Sequence, residues 1–477
     1  MLRLASRLLA AALLGAALCT CGPRAAPVGA RNVVLIVADT LRADRLGCYR
    51  YPRPTSPHID ALAARGTLYE RCYSQANWTV PSMISLMSGA SVCQDDVALP
   101  TGVEVLAEAV SRGGIATAGF TANAVLRRDR GFERGLDVFE DVESMSASEV
   151  AARAGDWLDA LPREPDGRPA RFFLWVQLID PHAPYTPLPE FDVFRGPRPD
   201  QAELEPLWRA AQADASALAA PGGTRGIDDA LAYMVGQSNL YDGEVLQTDA
   251  GVGLLLERIA RLGALEETVV VLCSDHGDML YEQRAQPCFV TAALEQAGQQ
   301  AVGVEALFAQ GHRPWYFEPL WNTPLVLAGP GFPAGTRRTG LAANLDIYPT
   351  VLEVLGLRPS SPLEGRSLVG GLDPTRARVH AYGQRTSALL EREGLKLVQQ
   401  PRRLFDPAAE LALVEPWLFD LRQGERHELS AERPAEVERL TALIRDWRAR
   451  YGRAPAGETS AAALDDLRRM GYAGDDQ

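Results

Sequence analysis

Three uninterrupted apolar runs, each ending in an acidic residue, limit what this chain can become. Asn32-Val33-Val34-Leu35-Ile36-Val37-Ala38 leads into Asp39, Phe172 to Ile179 leads into Asp180, and Thr268 to Ser274 leads into Asp275-His276-Gly277-Asp278. A run without polar alternation reads as a strand buried on both faces, the condition of a parallel sheet covered by helices. Open α/β sheets place ligands outside the carboxyl ends of their strands, where these acids fall. An aspartate there also serves as a cap for the next segment, and for Asp39 alone that role fits about as well. The first and third runs are far apart in sequence, yet each delivers a metal-ligand type at a strand end. Carboxylate plus imidazole suits Zn²⁺, Mn²⁺ or Fe better than an all-oxygen Ca²⁺ site.

A second stretch, Asn77-Trp78-Thr79-Val80-Pro81-Ser82-Met83-Ile84-Ser85-Leu86-Met87-Ser88-Gly89, reads as a short apolar helix. Pro81 suits its first turn and Gly89 its end. Thr79 then sits at the helix N-terminus, where free N–H groups and the dipole favour an anion. Taken alone, Thr79 reads as an N-cap. The metal-ligand types elsewhere in the chain shift the balance toward chemistry.

The chain has 477 residues, enough for one large domain plus a smaller one. A net charge of −13 excludes nucleic-acid binding by bulk electrostatics, although a local site can be positive inside an acidic protein. Almost all basic residues are Arg; Lys396 is the only lysine. Arg3 and Arg7 precede an apolar run from Leu8 to Cys19, too short to span a bilayer comfortably and suited to a cleaved signal peptide over residues 1–21. Leu18-Cys19-Thr20-Cys21 resembles a bacterial lipoprotein signal with Cys21 as the lipidated, membrane-attaching residue. A threonine before that cysteine is unusual, so plain secretion stays open; either way the expected location is outside the cytoplasm. Cys48, Cys72, Cys93, Cys273 and Cys288 remain, an odd number with no zinc spacing. The expectation is one or two disulfides plus a buried thiol.

Taken in order, Ile59 to Gly66 reads as a helix with a glycine stop, and Val103 to Gly113 as another before a strand over Ile115 to Phe120. Asn123 follows that strand, either as a loop cap or as a donor to a bound anion. Gly131 to Asp141 reads as surface loop, Ser146 to Leu161 as helix. Asp180-Pro181-His182-Ala183-Pro184-Tyr185 is a loop held extended by its prolines, and places His182 beside an acid at a strand end. Pro189 to Gly226 reads as surface decoration, Leu240 to Leu262 as one long helix, and Tyr281 to Gln310 as a segment overhanging the site. Thr323 to Leu327 is a strand and Leu345 to Leu355 a helix. Past Gly371, four short strand-like runs and a helix over Glu436 to Tyr451 read as a small α+β subdomain.

With these residues aligned, the chain resembles the sulfatase family of the alkaline phosphatase superfamily from Asn32 to about Trp447. The ordered motifs are Val33 to Tyr49, Thr55 to Leu86, Phe172 to Tyr185, Tyr241 to Glu244, Ser274 to Asp278, Gly311 to Pro324 and Asp346 to Leu355. The resemblance implies an alkaline-phosphatase-like large α/β domain (residues 31–371) with a mostly parallel central sheet between helices. It also implies a small C-terminal α+β subdomain (376–452), followed here by a tail (453–477). It implies one divalent metal ion, Zn, Mn or Ca, on Asp39, Asp275 and His276. Thr79 falls at the nucleophile position, and His182 and His312 match substrate-contacting histidines, with Arg313 beside them. Its implied partners are a sulfated or phosphorylated small molecule or an anionic envelope polymer, not nucleic acid.

The departures from the family pattern carry chemistry. Sulfatases have Cys or Ser within Cys/Ser-x-Pro-x-Arg and convert it to formylglycine. Here the motif is Thr79-Val80-Pro81-Ser82-Met83, without the arginine. Oxidation of threonine yields a ketone rather than the aldehyde, so no formylglycine is expected. Thr40 replaces a frequent second metal-binding Asp, Thr121 to Ala124 replaces Gly-Lys-Trp-His, and Gln177 stands where close relatives often have His. A formylglycine hydrate expels sulfate through its second hydroxyl, an exit threonine lacks. A threonine phosphate can be cleared by metal-assisted in-line attack or passed to an acceptor alcohol. Threonine nucleophiles occur in related phosphodiesterases and phosphoglycerol or phosphoethanolamine transferases, where Asn123 would resemble an amide on the phosphoryl oxygens. Three readings stand: Thr79 as a metal-activated nucleophile on a phosphate ester, a sulfuric ester hydrolase working without formylglycine, and a silent relative that binds an anionic polymer. Catalysis requires the Asp39, Asp275 and His276 side chains around one cation, with the Thr79 oxygen facing it and reachable from solvent.

Overall fold

The protein was analysed as a computed structural model that describes residues 29–91, 97–218, 227–282, 316–382, 386–401 and 414–451. The three apolar runs form the middle of an eight-stranded sheet. Its strands are β1 (Asn32–Ala38), β2 (Gly66–Tyr73), β3 (Ala116–Thr121), β4 (Val138–Asp141), β5 (Phe172–Leu178), β6 (Thr268–Cys273), β7 (Asn322–Ala328) and β8 (Thr336–Ala343), in spatial order β4-β3-β5-β1-β6-β7-β2-β8. β1 pairs in parallel with β5 on one side and β6 on the other, and β3 extends the parallel block to β4. Only β7 runs against its neighbours β6 and β2.

Every residue of β1, β5 and β6 is buried, as continuous apolar runs require. Helices cover both faces: α1 (Pro57–Ala64), α2 (Thr79–Ser88), α3 (Leu106–Ser111), α4 (Ala147–Asp159), α5 (Gln201–Leu218), α6 (Ile227–Arg261), α7 (Glu318–Trp321) and α8 (Ile347–Leu355). Val33, Leu35 and Val37 pack with Val80, Met83 and Ile84 of α2 and Val351 of α8. Val34 and Ile36 face the opposite core with Ile59 of α1, Ala154 of α4 and Val245 of α6. A second sheet, β9 (Arg378–Tyr382), β10 (Ser387–Glu391), β11 (Leu395–Pro401) and β12 (Val414–Asp420), is antiparallel and is joined by α9 (Pro434–Tyr451). Val379, Ala388, Trp417 and Phe419 of this sheet share a core with Tyr73, Tyr316 and Trp321. The chain's single lysine, Lys396, is fully buried in this region and bonds Glu425 at 2.7 Å and Glu318 at 2.9 Å.

Several expectations need correction. Gly66 does not stop a helix; it opens β2, where an added Cβ would lie 2.3 Å from Leu327 O of the neighbouring strand. The segment read as loop over Gly131 to Asp141 ends in the four-residue edge strand β4, too short to show a pattern. β2 was not anticipated because its alternation breaks at Glu70-Arg71, where the pairing register shifts. Helix α5 lies inside the stretch read as surface decoration, and α6 starts at Ile227, well before Leu240. Cys48, Cys72 and Cys273 are free thiols, so none of these three joins a disulfide. Cys93 and Cys288 lie outside the described residues, as do residues 1–28, almost all of Tyr281 to Gln310, and the 453–477 tail. Among the described residues, no helix is long and apolar enough to cross a membrane.

Candidate active site

The parallel pairing of β1 with β6 sets Val37 opposite Cys273, so the residues that follow each strand emerge side by side. This brings Asp39 next to Asp275 and His276, three fully buried residues whose ligand atoms all lie within 4.8 Å of one another. His276 Nε2 is 3.8 Å from Asp39 Oδ1 and 3.6 Å from Asp275 Oδ2. His276 Nδ1 lies 2.7 Å from Gly277 O; a carbonyl only accepts, so Nδ1 carries the proton and Nε2 presents a lone pair. Burial pushes the His276 pKa down, which keeps the ring in its neutral, ligating form.

The carboxylates are set for a cation. Asp275 Oδ1 accepts from the backbone N–H of His276 at 2.9 Å and of Thr40 at 3.3 Å, while Asp275 Oδ2 has no hydrogen-bond partner. Asp39 Oδ1 is likewise buried without one. Burial pushes the Asp275 carboxyl up to about 6, and burial together with the nearby Asp275 charge raises that of Asp39. Orphaned carboxylate oxygens beside an imidazole lone pair are costly in a dry site unless a positive charge joins them. The donor set therefore fits a divalent cation, with the one imidazole favouring a transition metal.

Helix α2 delivers Thr79 to this centre. Trp78 occupies the N-cap position and makes no side-chain cap, so Thr79 is the first helical residue. Its hydroxyl donates to Asp39 Oδ2 at 3.3 Å and lies 3.4 Å from His276 Nε2. Gly89 ends the helix at φ +65°, the left-handed conformation expected there. Thr79 is fully buried. Of the two conditions set by the sequence, one holds: the Thr79 hydroxyl faces the Asp39, Asp275 and His276 cluster. The other does not, because the hydroxyl is not reachable from solvent in this structure.

Asn123 Nδ2 donates to Asp39 Oδ2 at 2.5 Å and Asn123 Oδ1 accepts from Val125 N at 2.9 Å, so the residue both grips the ligand aspartate and caps its loop. Gln177, on β5 opposite Val37 and Thr121, is fully buried with neither amide atom hydrogen-bonded. His182 is half-buried, with Nδ1 2.6 Å from Ala183 O, and lies near enough to be an electrostatic neighbour of Asp39, Asp275 and His276. His312 and Arg313 lie outside the described residues.

Several supporting residues lie in or beside the sequence motifs, which do not show what each one holds. Thr40 holds φ +55°, rare for a β-branched residue, and its hydroxyl is buried without a partner. Tyr241 of α6 clamps this turn: its hydroxyl donates to Thr40 O at 2.7 Å and accepts from Arg42 N at 2.9 Å. Asn344 Nδ2 donates to Ser274 O at 2.8 Å, and Tyr185 OH to Asp278 Oδ2 at 2.5 Å. Each sits in an ordinary helix or loop context, where only a spatial neighbour reveals its task.

Comparison with known proteins agrees with this architecture. The sulfatase family matches residues 31–357. Choline-sulfatase of Rhizobium meliloti (strain 1021) is 24% identical over 80% of this chain and 81% of its own. Human arylsulfatase A is 26% identical over 71% of this chain and 66% of its own. Bovine arylsulfatase K is 28% identical over 26% of this chain, and the match spans 18% of that relative's length. Among solved structures, the phosphonate monoester hydrolase of Agrobacterium radiobacter superposes with a TM-score of 0.64 at 19% identity, covering 89% of this chain and 96% of its own. A protein solved with its substrate D-glucosamine-2-N,6-O-disulfate gives 0.67 at 15% identity, covering 89% and 98%. With more than half its length matched and the mostly parallel sheet in place, the chain belongs to the sulfatase family.

Proposed function

We propose that this protein is a metal-dependent hydrolase of sulfate or phosphate-type esters in which Thr79 is the nucleophile. The observation that carries the reading is the Thr79 hydroxyl, within hydrogen-bond reach of Asp39 Oδ2 and His276 Nε2 beside two orphaned carboxylate oxygens. Asp39, Asp275 and His276 would hold one divalent cation, whose Lewis acidity lowers the pKa of a nearby hydroxyl and polarises the ester. Asp39 Oδ2, already accepting the Thr79 hydrogen bond, takes its proton as Oγ bonds to sulfur or phosphorus. The ester S–O or P–O bond breaks, and His182, the partly exposed member of the set, protonates the departing oxygen. Water then cleaves the threonine ester and restores the hydroxyl. In this reading the N–H groups at the start of α2 would hold the non-reacting oxygens, joined by the Asn123 amide if it is released from Asp39 Oδ2. His312 and Arg313 belong to this proposal on sequence grounds alone.

The relatives' names, choline-sulfatase and arylsulfatase A, favour a sulfate ester, and the threonine chemistry favours a phosphate-type one. A disulfated glucosamine bound by one structural neighbour supports a sulfated saccharide as substrate. The leader around Cys21 supports export, with attachment to a membrane through that cysteine. One observation favours a second reading, a silent relative that binds an anionic polymer on its surface: Thr79, Asp39, Asp275 and His276 all have zero exposure, so no ester reaches them in this structure. The test is to offer the purified protein an aryl sulfate, a phosphate monoester and a phosphodiester with each of Zn²⁺, Mn²⁺ and Ca²⁺. Turnover of at least one class, lost in Thr79→Ala with the cation still bound, is expected. Silence across the panel, or full turnover in Thr79→Ala, overturns the nucleophile.

A further inference from the structure

Lined in part by Gln75 and Leu345, a polar cavity of about 530 Å³ lies between the large domain and the second sheet. Among the described residues, four arginines line it, Arg366, Arg376, Arg378 and Arg450, against one carboxylate, Glu364. That is an unusual concentration in a protein of net charge −13. Two of the arginines have internal partners: Arg376 bonds Asp346 at 2.5 Å, and Arg366 pairs with Asp373. Glu364 is also engaged, accepting from Ser91 N at 2.9 Å and Trp447 Nε1 at 3.4 Å. The side chains of Arg378 and Arg450 make no hydrogen bond or ion pair among the described residues. Arg378 is half-buried in β9 and Arg450 exposed near the end of α9.

A further observation points to a missing ligand. The His380 ring stacks on Trp447, centroids 5.0 Å apart and 8° from parallel, which fixes its orientation. Its Nε2 is nonetheless buried with no hydrogen-bond partner, in a ring that lines this cavity. Buried polar atoms are nearly always paired. In its Nε2–H tautomer the neutral ring is a donor, so this orphan, in the cavity that Arg378 and Arg450 also line, marks a place for an acceptor. Guanidinium forks match the oxygens of sulfate and phosphate, which accept several N–H bonds at once.

The geometry points to a second anion site: we propose that Arg378, Arg450 and His380 hold a sulfate or phosphate group of a polyanionic substrate whose scissile ester lies at Thr79. Short stretches of chain connect the two sites. Gln75 lies in the loop leading to α2 and accepts from Leu345 N at 3.1 Å, and the adjoining Asn344 braces Ser274 beside the metal-ligand pair. The identity of the polymer rests on the proposed hydrolase reading; the anion site does not.

The test is calorimetric titration of the full-length Thr79→Ala protein with three probes: inorganic sulfate, a heparin-derived tetrasaccharide and linear polyphosphate. Binding of at least one polyanion, weakened about tenfold or more in a further Arg378→Ala/Arg450→Ala variant, is expected from the loss of two charge-assisted contacts. Which polyanion binds separates a sulfated from a phosphorylated source. In a protein with Thr79 intact, the same double substitution leaves turnover of a small aryl ester unchanged and raises KM only for the polyanion. Equal polyanion affinity with and without the two arginines, or no binding at all, overturns the proposal. Should small esters not turn over, the hydrolase reading fails while the titration still reports on the anion site.

Discussion

At the level of single residues, the account turns on how burial is compensated. Thr79→Ser keeps the hydroxyl and is expected to retain turnover within about tenfold, whereas Thr79→Ala removes the nucleophile and lowers kcat by about 10³-fold or more, read with an aryl ester at saturating cation. A second residue reports on the loop that carries His182. Glu244 of α6 accepts from Thr186 N at 2.6 Å, and burial pushes its carboxyl up to about 8. A carboxyl whose folded pKa lies above its unfolded value adds stability below the unfolded value and loses it as pH rises toward 8. Glu244→Gln keeps the acceptor and removes that loss, so its Tm should match the parent near pH 5 and exceed it by about 2 °C near pH 8. Thermal scans across that range check the sign. The metal-ligand types were legible in sequence because acids ending apolar runs are conspicuous. Asn344 was not, and for Thr40 and Tyr241 the sequence marked the position without its work, which is visible only against Asp275, the turn after β1 and Ser274.

At the level of elements, the site depends on how closely the chain after β6 approaches α7. Gly277 donates its N–H to Leu320 O at 2.8 Å, and a Cβ there would lie 2.0 Å from Pro319 O. Gly277→Ala must push α7 or the Asp275-His276 pair out of place. It should cost about 1–3 kcal/mol of stability and weaken cation binding, measured by denaturant titration and by calorimetry with Zn²⁺ or Mn²⁺. Elements made of continuous apolar runs (β1, β5 and β6) could be read within a residue or so of their observed limits. β4 could not, being a four-residue edge strand, and β2 hid behind the register shift near Glu70 and Arg71. Helix α6 continues N-terminal to Leu240, where Ile227, Leu231, Met234 and Val235 recur at helical spacing behind two first-turn aspartates, a pattern that the expected start at Leu240 missed.

For the whole molecule, the second sheet is fastened to the large domain through a buried ion triad. Lys396 sits between Glu318 of α7 and Glu425, with its ammonium 5.0 Å from the centroid of the Trp321 ring. Lys396→Met leaves two carboxylates without their cation and should destabilise the protein by about 3–5 kcal/mol, seen as a lower urea midpoint. The same fastening sets α7 against Gly277, so the variant should also weaken cation binding. The central claim concerns the bond formed at Thr79, and rapid-quench peptide mass spectrometry during turnover of an aryl sulfate or phosphate tests it most directly. The account predicts a sulfo or phospho group on the peptide containing Thr79, appearing before steady state and absent from Thr79→Ala. Turnover with that peptide unmodified at every quench time would contradict it.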